Sequence, residues 1–362
     1  MKNKISLSTK TSRNDFITYA MVVIIFVVVQ ILMHAGALNS QMQGLLVPLC
    51  VYATMAISLN LVVGILGELS LGHAGFMCVG AFASAFFSKC NVDSMNTFPR
   101  FLIAILLGAV VAGIFGFLIG IPALRLNGDY LAIVTLAFGE IVKNIMNALY
   151  VGRDAAGFHV SIKDAASMGM DAATGQIIIN GPQGITGTPF NSTFTIGFII
   201  LLVSLIIVLN LVNSRDGRAI MSIRDNHIAA ESVGINITRY KLTAFVISAA
   251  IAGAAGALYS HNLATLQATS ARFGYNMSIM FLVFVVLGGI GSMRGSIIAA
   301  IVLTLLPELL RFMANYRMLI YSIVLIVIML VSWSPKSRAW MEKHKLSQFL
   351  LPKRKKQEKE GA

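Results

Sequence analysis

Long apolar runs separated by short polar segments dominate the chain. Ten of them come close to, or reach, the roughly 20 residues that a helix needs to cross a bilayer. They are 16–33, 45–66, 73–88, 101–121, 130–150, 193–212, 242–260, 277–291, 296–312 and 318–333. This pattern predicts an all-α, polytopic membrane protein with about ten transmembrane helices in a membrane domain that covers residues 16–333.

Two places in this pattern leave alternatives open. The run 73–88 is short, so it either crosses the membrane or forms a re-entrant segment. The stretch 278–306 has 29 residues, too many for one untilted helix at about 1.5 Å per residue. The glycine-rich sequence GGIGSMRG (288–295) interrupts it. We therefore expect two helices there, or one broken helix.

The distribution of lysine and arginine predicts the orientation. With the N-terminus inside and ten spans, 20 of the 28 cations lie on the cytoplasmic side and 7 outside, while Lys143 lies within a span. An excess of cations in short loops marks the cytoplasmic side. We therefore expect both termini and the 213–241 loop in the cytoplasm, and the turn-rich loop 151–192 outside.

The two ends of the chain are predicted to be cytoplasmic tails, 1–15 and 334–362. The second contains PKRKKQEKE (352–360), whose charge suits contact with anionic membrane lipid. Residues 35–37 (AGA) resemble a signal-peptidase site, but the apolar run before them is longer than the usual core of about 7–15 residues. We favour an uncleaved first span over a cleaved signal.

Composition narrows the class of function. The chain is 57% hydrophobic and 12% charged, whereas soluble domains carry about 25% charged residues. Its net charge of +13 comes from cations at span ends and in tails, so we predict no nucleic-acid partner. There is no GxxxxGK[ST] phosphate-binding loop, and the six histidines lack metal-ligand spacing. We predict no catalytic residue, no metal and no cofactor of its own.

The 213–241 loop is the only long, charged and helix-compatible insertion between two spans. It reads NSRDGRAIMSIRDNHIAAESVGINITRYK and holds five cations. A small, helix-compatible cytoplasmic loop on a membrane-buried protein favours docking onto a soluble partner.

Small residues and charged pairs within the apolar runs are further candidates. Closely spaced glycines let helix backbones approach in lipid, so they indicate tight packing or a narrow pathway. The candidates are Gly72, Gly75, Gly80, Gly288, Gly289 and Gly291. Ionisable residues inside a membrane are functional candidates. Glu140 with Lys143, and Glu308 with Arg311, are each three residues apart, so each pair can neutralise itself on a helix.

Five sequence blocks, in order, resemble the LivM-type permease of branched-chain amino acid ABC importers. They are LSLGHAGFMCVGAFASA (69–85), LRLNGDYLAIVTLAFGEIVKNI (124–145), GPQGITG (181–187), RDNHIAAESVGINITRYKLTAFVISAAIAGAAGALY (224–259) and LGGIGSMRGSIIAA (287–300). The similarity runs from about residue 44 to 333. It implies an ABC importer permease fold with inverted-repeat character, in the inner (plasma) membrane of a bacterium. Such a repeat would leave two similar segments in the chain, but segments 61–75 and 282–296 are only faintly similar to each other.

The resemblance also implies an assembly. A second homologous permease subunit would complete the pathway, two cytoplasmic ABC ATPases would bind the ATP, and an external binding protein would deliver substrate. IAAESVGI (228–235) resembles the short helix that docks into a cleft of the ATPase. Arg224, Asp225 and Glu231 are expected to make polar contacts that fix the orientation of docking. Ala229 and Ala230 are expected to allow close helix contact, and Gly234 is expected to end the helix.

The predicted function is half of an ATP-gated pathway for leucine, isoleucine and valine. A urea or short-amide importer permease is the alternative within the class, and a sugar permease fits less well. The rival from another class is a secondary transporter acting alone. The absence of a lone acid deep in a span disfavours that rival. The amino acid carried, and whether the permease pair is homo- or heterodimeric, stay open.

Overall fold

The computed structural model describes residues 2–333 except 37, 93, 94, 127, 155, 156, 171–174, 314 and 315, so the predicted tail 334–362 lies outside it. The described residues form thirteen α-helices, numbered α1 to α13 in chain order. These are Lys2–His34, Ser40–Asn60, His73–Cys90, Thr97–Ala123, Asp129–Ala148, Phe194–Asn213, Arg215–Asp225, His227–Ser232, Ile237–Ser260, Ser270–Phe273, Tyr275–Gly288, Met293–Leu309 and Arg317–Trp333. Helix α1 also covers most of the predicted tail 1–15.

Each of the ten predicted spans forms a helix, which confirms the polytopic all-α class. By length and composition, seven helices of the described chain are apolar enough to cross a membrane. They are Asp15–His34, Ser40–Leu66, Thr97–Ala123, Asp129–Ala148, Phe194–Asn213, Ile237–Ser260 and Ser270–Gly288. The other three predicted spans correspond to α3, α12 and α13, which have 18, 17 and 17 residues.

Glycines bring the central helices into backbone contact. A Cβ atom added to Gly80 of α3 would lie 2.4 Å from the Cα atom of Gly253 in α9. A Cβ atom on Gly253 would in turn lie 2.5 Å from the carbonyl oxygen of Gly108 in α4. These separations exclude any larger side chain without a shift of the backbone. Helices α3, α4 and α9 therefore form a close-packed centre.

Five short strands of the described chain lie at one end of the helix bundle, which we call the sheet face. The strands β1 to β5 are Tyr150–Asp154, Gly157–Ser161, Gln176–Asn180, Ile185–Thr186 and Thr265–Leu266. An antiparallel sheet has the order β2-β1-β3, and β4 pairs with β5. The sequence indicated only a turn-rich loop at 151–192, so β1 to β4 were not predicted there, and neither was β5 after α9.

Helix α3 joins the sheet face to the opposite end, where the 213–241 loop lies and which we call the loop face. At its C-terminal end, the Lys89 ammonium donates to the carbonyl oxygens of Ile177 and Thr186, at 3.2 and 2.9 Å. At its start, His73 is buried beside Ser70. An 18-residue helix is about 27 Å long. The polypeptide from Glu68, which pairs with Lys241 near the start of α9, to Lys89 therefore runs from the loop face to the sheet face.

Two helix breaks lie together at the loop face. Helix α2 continues as a π-helix, Leu61–Leu66, and the chain is irregular until α3 begins at His73. The second break separates α11 from α12 at 289–292, where Gly289 and Gly291 have φ of +94° and +85°. Only glycine adopts such angles without strain. The expected interruption at 288–295 is thus confirmed. When the faintly similar segments 61–75 and 282–296 are aligned, the two breaks fall at corresponding positions.

Candidate functional site

Polar N-caps divide the 213–241 loop into helices. The Ser214 hydroxyl accepts from the Gly217 amide at 3.1 Å and begins α7. Asn226 begins α8, because its Oδ1 atom accepts from the amides of Ile228 and Ala229, both at 3.1 Å. Asn236 caps the first turn of α9 in the same way. Such caps satisfy backbone donors that have no partner inside the helix. The helical form of the loop therefore follows from its own sequence.

Gly234 ends α8, as the sequence predicted. Its φ is +83°, and its amide donates to the Glu231 carbonyl at 2.9 Å. The Ile235 amide donates to the Ala230 carbonyl at 3.1 Å. This pair of bonds is the Schellman arrangement that closes a helix at a left-handed residue.

The outer surface of α8 carries exposed apolar side chains. Ile228 is 68% exposed, and Val233, just after the helix, is 78% exposed. Ala229 and Glu231 are also exposed, as is the Asp225 side chain just before the helix. These residues form one accessible surface, which we call the α8 surface.

Ala230 does not belong to the α8 surface. It is only 3% exposed and faces the chain's own interior, so the expectation that it makes close contact with a partner is wrong. Arg224 is exposed, but its guanidinium already has partners within the chain: Nη1 donates to the Gly64 carbonyl at 2.8 Å, and Nη2 pairs with Asp225 at 3.1 Å. Of the residues expected to dock, all but Ala230 are exposed: Arg224, Asp225, Ala229, Glu231 and Gly234.

Two cations of the 213–241 loop hold the first helix break. Arg224 binds the Gly64 carbonyl within the π-helix, and its methylene groups pack on Gly67. Lys241, buried in the second turn of α9, forms an ion pair with Glu68. Carbonyls at the end of a helix lack partners within it, so a cation there satisfies them. The loop and the break are thus one bonded unit.

The six candidate glycines all lie at close backbone contacts or helix breaks. A Cβ atom on Gly72 would lie 2.4 Å from the Thr135 carbonyl oxygen of α5, and one on Gly75 would lie 2.7 Å from the Gly139 Cα atom. Gly80 meets α9 as described above. A Cβ atom on Gly288 would lie 2.4 Å from the Gly295 carbonyl carbon. Gly289 and Gly291 form the second break. These positions support packing and hinge roles.

Both predicted charged pairs form. Lys143 binds Glu140 on α5, and Arg311 binds Glu308 at 3.0 Å. The first pair also reaches other elements, because Glu140 accepts from the Tyr275 amide at 2.8 Å and Lys143 donates to the Ser270 hydroxyl at 3.1 Å. It therefore ties α5 to α10 and α11 within the apolar bundle.

Sequence analysis did not identify a buried polar network that joins α2, α3 and α9. The hydroxyls of Ser58 in α2 and Ser248 in α9 each donate to the other residue's carbonyl oxygen at 2.7 Å. His73 Nε2 lies 2.7 Å from the Ser248 hydroxyl. Because that hydroxyl already donates to Ser58, it accepts a hydrogen bond from the Nε2–H group. The imidazole thus joins α3 to α2 and α9.

Comparison with known proteins agrees with this arrangement. Residues 41–332 match the family described as branched-chain amino acid transport system, permease component. The high-affinity branched-chain amino acid transport system permease protein LivM of Salmonella typhimurium is 33% identical over 295 residues, covering 79% of this chain and 67% of that protein.

More distant relatives carry similar names. The LivH permease protein of the same Salmonella system is 24% identical over 284 residues, covering 77% of this chain and 89% of that protein. The nucleoside ABC transporter permease protein NupC of Lactococcus lactis is 24% identical over 245 residues, covering 64% of this chain and 71% of that protein. No solved structure matches the chain.

The family match extends over the region that carries the candidate site. It runs from the start of α2 to the end of α13, and so includes both helix breaks, the buried network and the 213–241 loop. The chain therefore belongs to the family of branched-chain amino acid transport system permease components.

Proposed function

We propose that this chain is one of two permease subunits of an ATP-driven importer of leucine, isoleucine and valine. ATP is bound and hydrolysed by two cytoplasmic ABC ATPases, and an external binding protein delivers the substrate. The permease itself holds no cofactor. The observation that carries this proposal is the α8 surface on a loop that is bonded to a helix break of the membrane domain.

The α8 surface has the character of a docking site. Isolated exposed apolar residues are common on proteins, but Ile228 lies within one short helix of a charged loop and Val233 directly follows that helix. An exposed helix face with apolar anchors fits a groove on a partner. Asp225 and Glu231 at its edge supply charges that can fix the orientation of docking.

A second permease subunit is supported by the relatives. LivM and LivH of Salmonella typhimurium are both permease proteins of a high-affinity branched-chain amino acid system, and both are similar to this chain. We propose that this chain likewise pairs with a homologous subunit, and that the pathway forms between them.

Substrate choice is assigned to the binding protein. The helix contacts described above are built from glycine, alanine and serine, which offer little basis for selecting one amino acid. The similarity to NupC makes nucleosides a second candidate substrate class. Urea or short amides remain the other alternative within ABC importers.

Uptake into proteoliposomes tests the proposal. The permease pair, the ATPases and the binding protein should accumulate leucine, isoleucine or valine only when ATP is available to the ATPases. Uptake should persist when the proton gradient is collapsed. Urea and adenosine serve as competing substrates, and ATPases lacking the phosphate-binding lysine serve as the control. Accumulation by this chain alone, driven by an ion gradient, would instead establish a secondary transporter.

From the charge distribution we propose that the loop face lies in the cytoplasm and the sheet face outside. Cysteine labelling tests this orientation. Single cysteines replace Ile162, 76% exposed on the sheet face, and Thr238, exposed on the loop face. Cys50, Cys78 and Cys90 are replaced by alanine. An impermeant thiol reagent applied to intact cells should label I162C and spare T238C until the membrane is opened. The reverse pattern would contradict a cytoplasmic 213–241 loop.

A further inference from the structure

One buried amide bridges the two helix breaks. Asn60, the last residue of α2, has no exposed surface. Its Oδ1 atom accepts from the Gly291 amide of the second break at 2.9 Å. Its Nδ2 atom donates to the Ser296 hydroxyl in the first turn of α12 at 2.8 Å. A single side chain therefore holds both the break and the helix that follows it.

The two breaks also meet through their backbones. A Cβ atom on Gly64 would lie 1.9 Å from Asn60 Oδ1 and 2.4 Å from the Gly291 nitrogen. No larger residue fits at position 64 while this contact exists. The bridge is thus a close contact with two hydrogen bonds between segments far apart in the sequence.

The same position is reached from the 213–241 loop. Arg224 binds the carbonyl oxygen of Gly64, and Lys241 pairs with Glu68 four residues later. Bonded contacts therefore run from the end of α7, through the π-helix, to Gly291 and α12.

We propose that Asn60 is a positioning residue that makes the second helix break follow the first when the 213–241 loop moves. This rests on the proposed function, in which ATPases act on that loop. The loop has bonded contacts with the first break through Arg224 and Lys241. Asn60 passes the displacement on to 289–292 and α12, so that both breaks change conformation together.

The physical reason lies in the cost of parting these groups. In an apolar bundle no water replaces a lost partner, so a buried amide left unsatisfied costs far more than in a wet site. Moving the first break alone would strand the Gly291 N–H and both polar atoms of Asn60. The joint movement keeps them paired.

The test uses the full assembly with its ATPases and compares Asn60→Ala with the wild type. Hydrogen exchange is measured at 64–68 and 289–292, with and without a non-hydrolysable ATP analogue. In the wild type, the analogue should alter exchange in both segments. In the Asn60→Ala variant, it should alter exchange at 64–68 only. Substrate transported per ATP hydrolysed should fall at least about fivefold, the lower range of allosteric coupling energies.

Two further variants separate coupling from simple damage. Thr54→Val removes another fully buried polar group of α2. Within the described chain this hydroxyl donates to the Cys50 carbonyl of its own helix and does not reach the second break, so coupling should stay normal. Ser296→Ala removes one of the two Asn60 bonds with little loss of packing and should give a smaller defect of the same kind. If the analogue alters both segments normally in Asn60→Ala and Ser296→Ala, the inference is overturned. If the wild type lacks ATP-driven uptake, the proposed function fails, while the exchange comparison still tests the bridge.

Discussion

Replacing Gly80 by alanine is expected to prevent the permease from folding stably. The added methyl carbon would lie 2.4 Å from the Gly253 Cα atom, far inside the 3.5–4.0 Å or so at which carbon atoms pack. Gly253 cannot retreat, because it is itself packed against Gly108 and Ala112 of α4. The cost should exceed the ~3 kcal/mol typical of severe overpacking, and so outweigh the ~1 kcal/mol that alanine gains over glycine in a helix.

A graded series of the same substitution isolates the effect. A Cβ atom added to Gly113 in α4 would have its nearest neighbour at 3.5 Å, and one added to Gly44 in α2 would have none within 4 Å. Neither has a positive φ, so both can accept alanine. Thermal unfolding of purified protein in detergent should show Gly44→Ala and Gly113→Ala at or above the wild-type midpoint, with Gly80→Ala far below it or not recoverable. A wild-type midpoint for Gly80→Ala would contradict the backbone contact between α3 and α9.

Features set by local sequence were predictable. The helices at the ten predicted spans follow from apolar runs, and the Glu140–Lys143 pair follows from a spacing of three on a helix. Gly234 ends α8 because a left-handed terminus requires glycine. Each of these depends on residues within a few positions of one another, so the sequence carries the needed information directly.

Features set by distant contacts were not predictable. Ser58 and Ser248 are 190 residues apart, and Arg224 reaches a carbonyl 160 residues away. The periodicity of α8 could not show that Ala230 faces inward, because the helix has only six residues. The strands at 150–180 could not be predicted either, because their formation depends on neighbours across the sheet.

Replacing Ile228 by aspartate is expected to abolish ATP-driven uptake while leaving the permease folded. Ile228 is 68% exposed in the isolated chain, so the substitution removes little packing from the permease itself. In a docked complex the same position would bury an unpaired carboxylate. Truncation or charging of an interface anchor typically costs about 2–4 kcal/mol, which weakens ATPase binding about 30- to 1000-fold. Ala230→Arg would not discriminate, because Ala230 is buried and its loss would also damage the fold.

The measurement pairs retention of the ATPases on immobilised permease with uptake in proteoliposomes. Thr238→Asp is the matched control, because it places the same charge at an exposed position of the same loop, outside α8. It should bind the ATPases and transport as the wild type does. Val233→Asp, at the other end of α8, should reproduce the Ile228→Asp defect. Normal ATPase retention in both α8 variants would show that the ATPases dock elsewhere on the permease. The movement proposed to reach the first helix break through Arg224 and Lys241 would then have to begin at another surface.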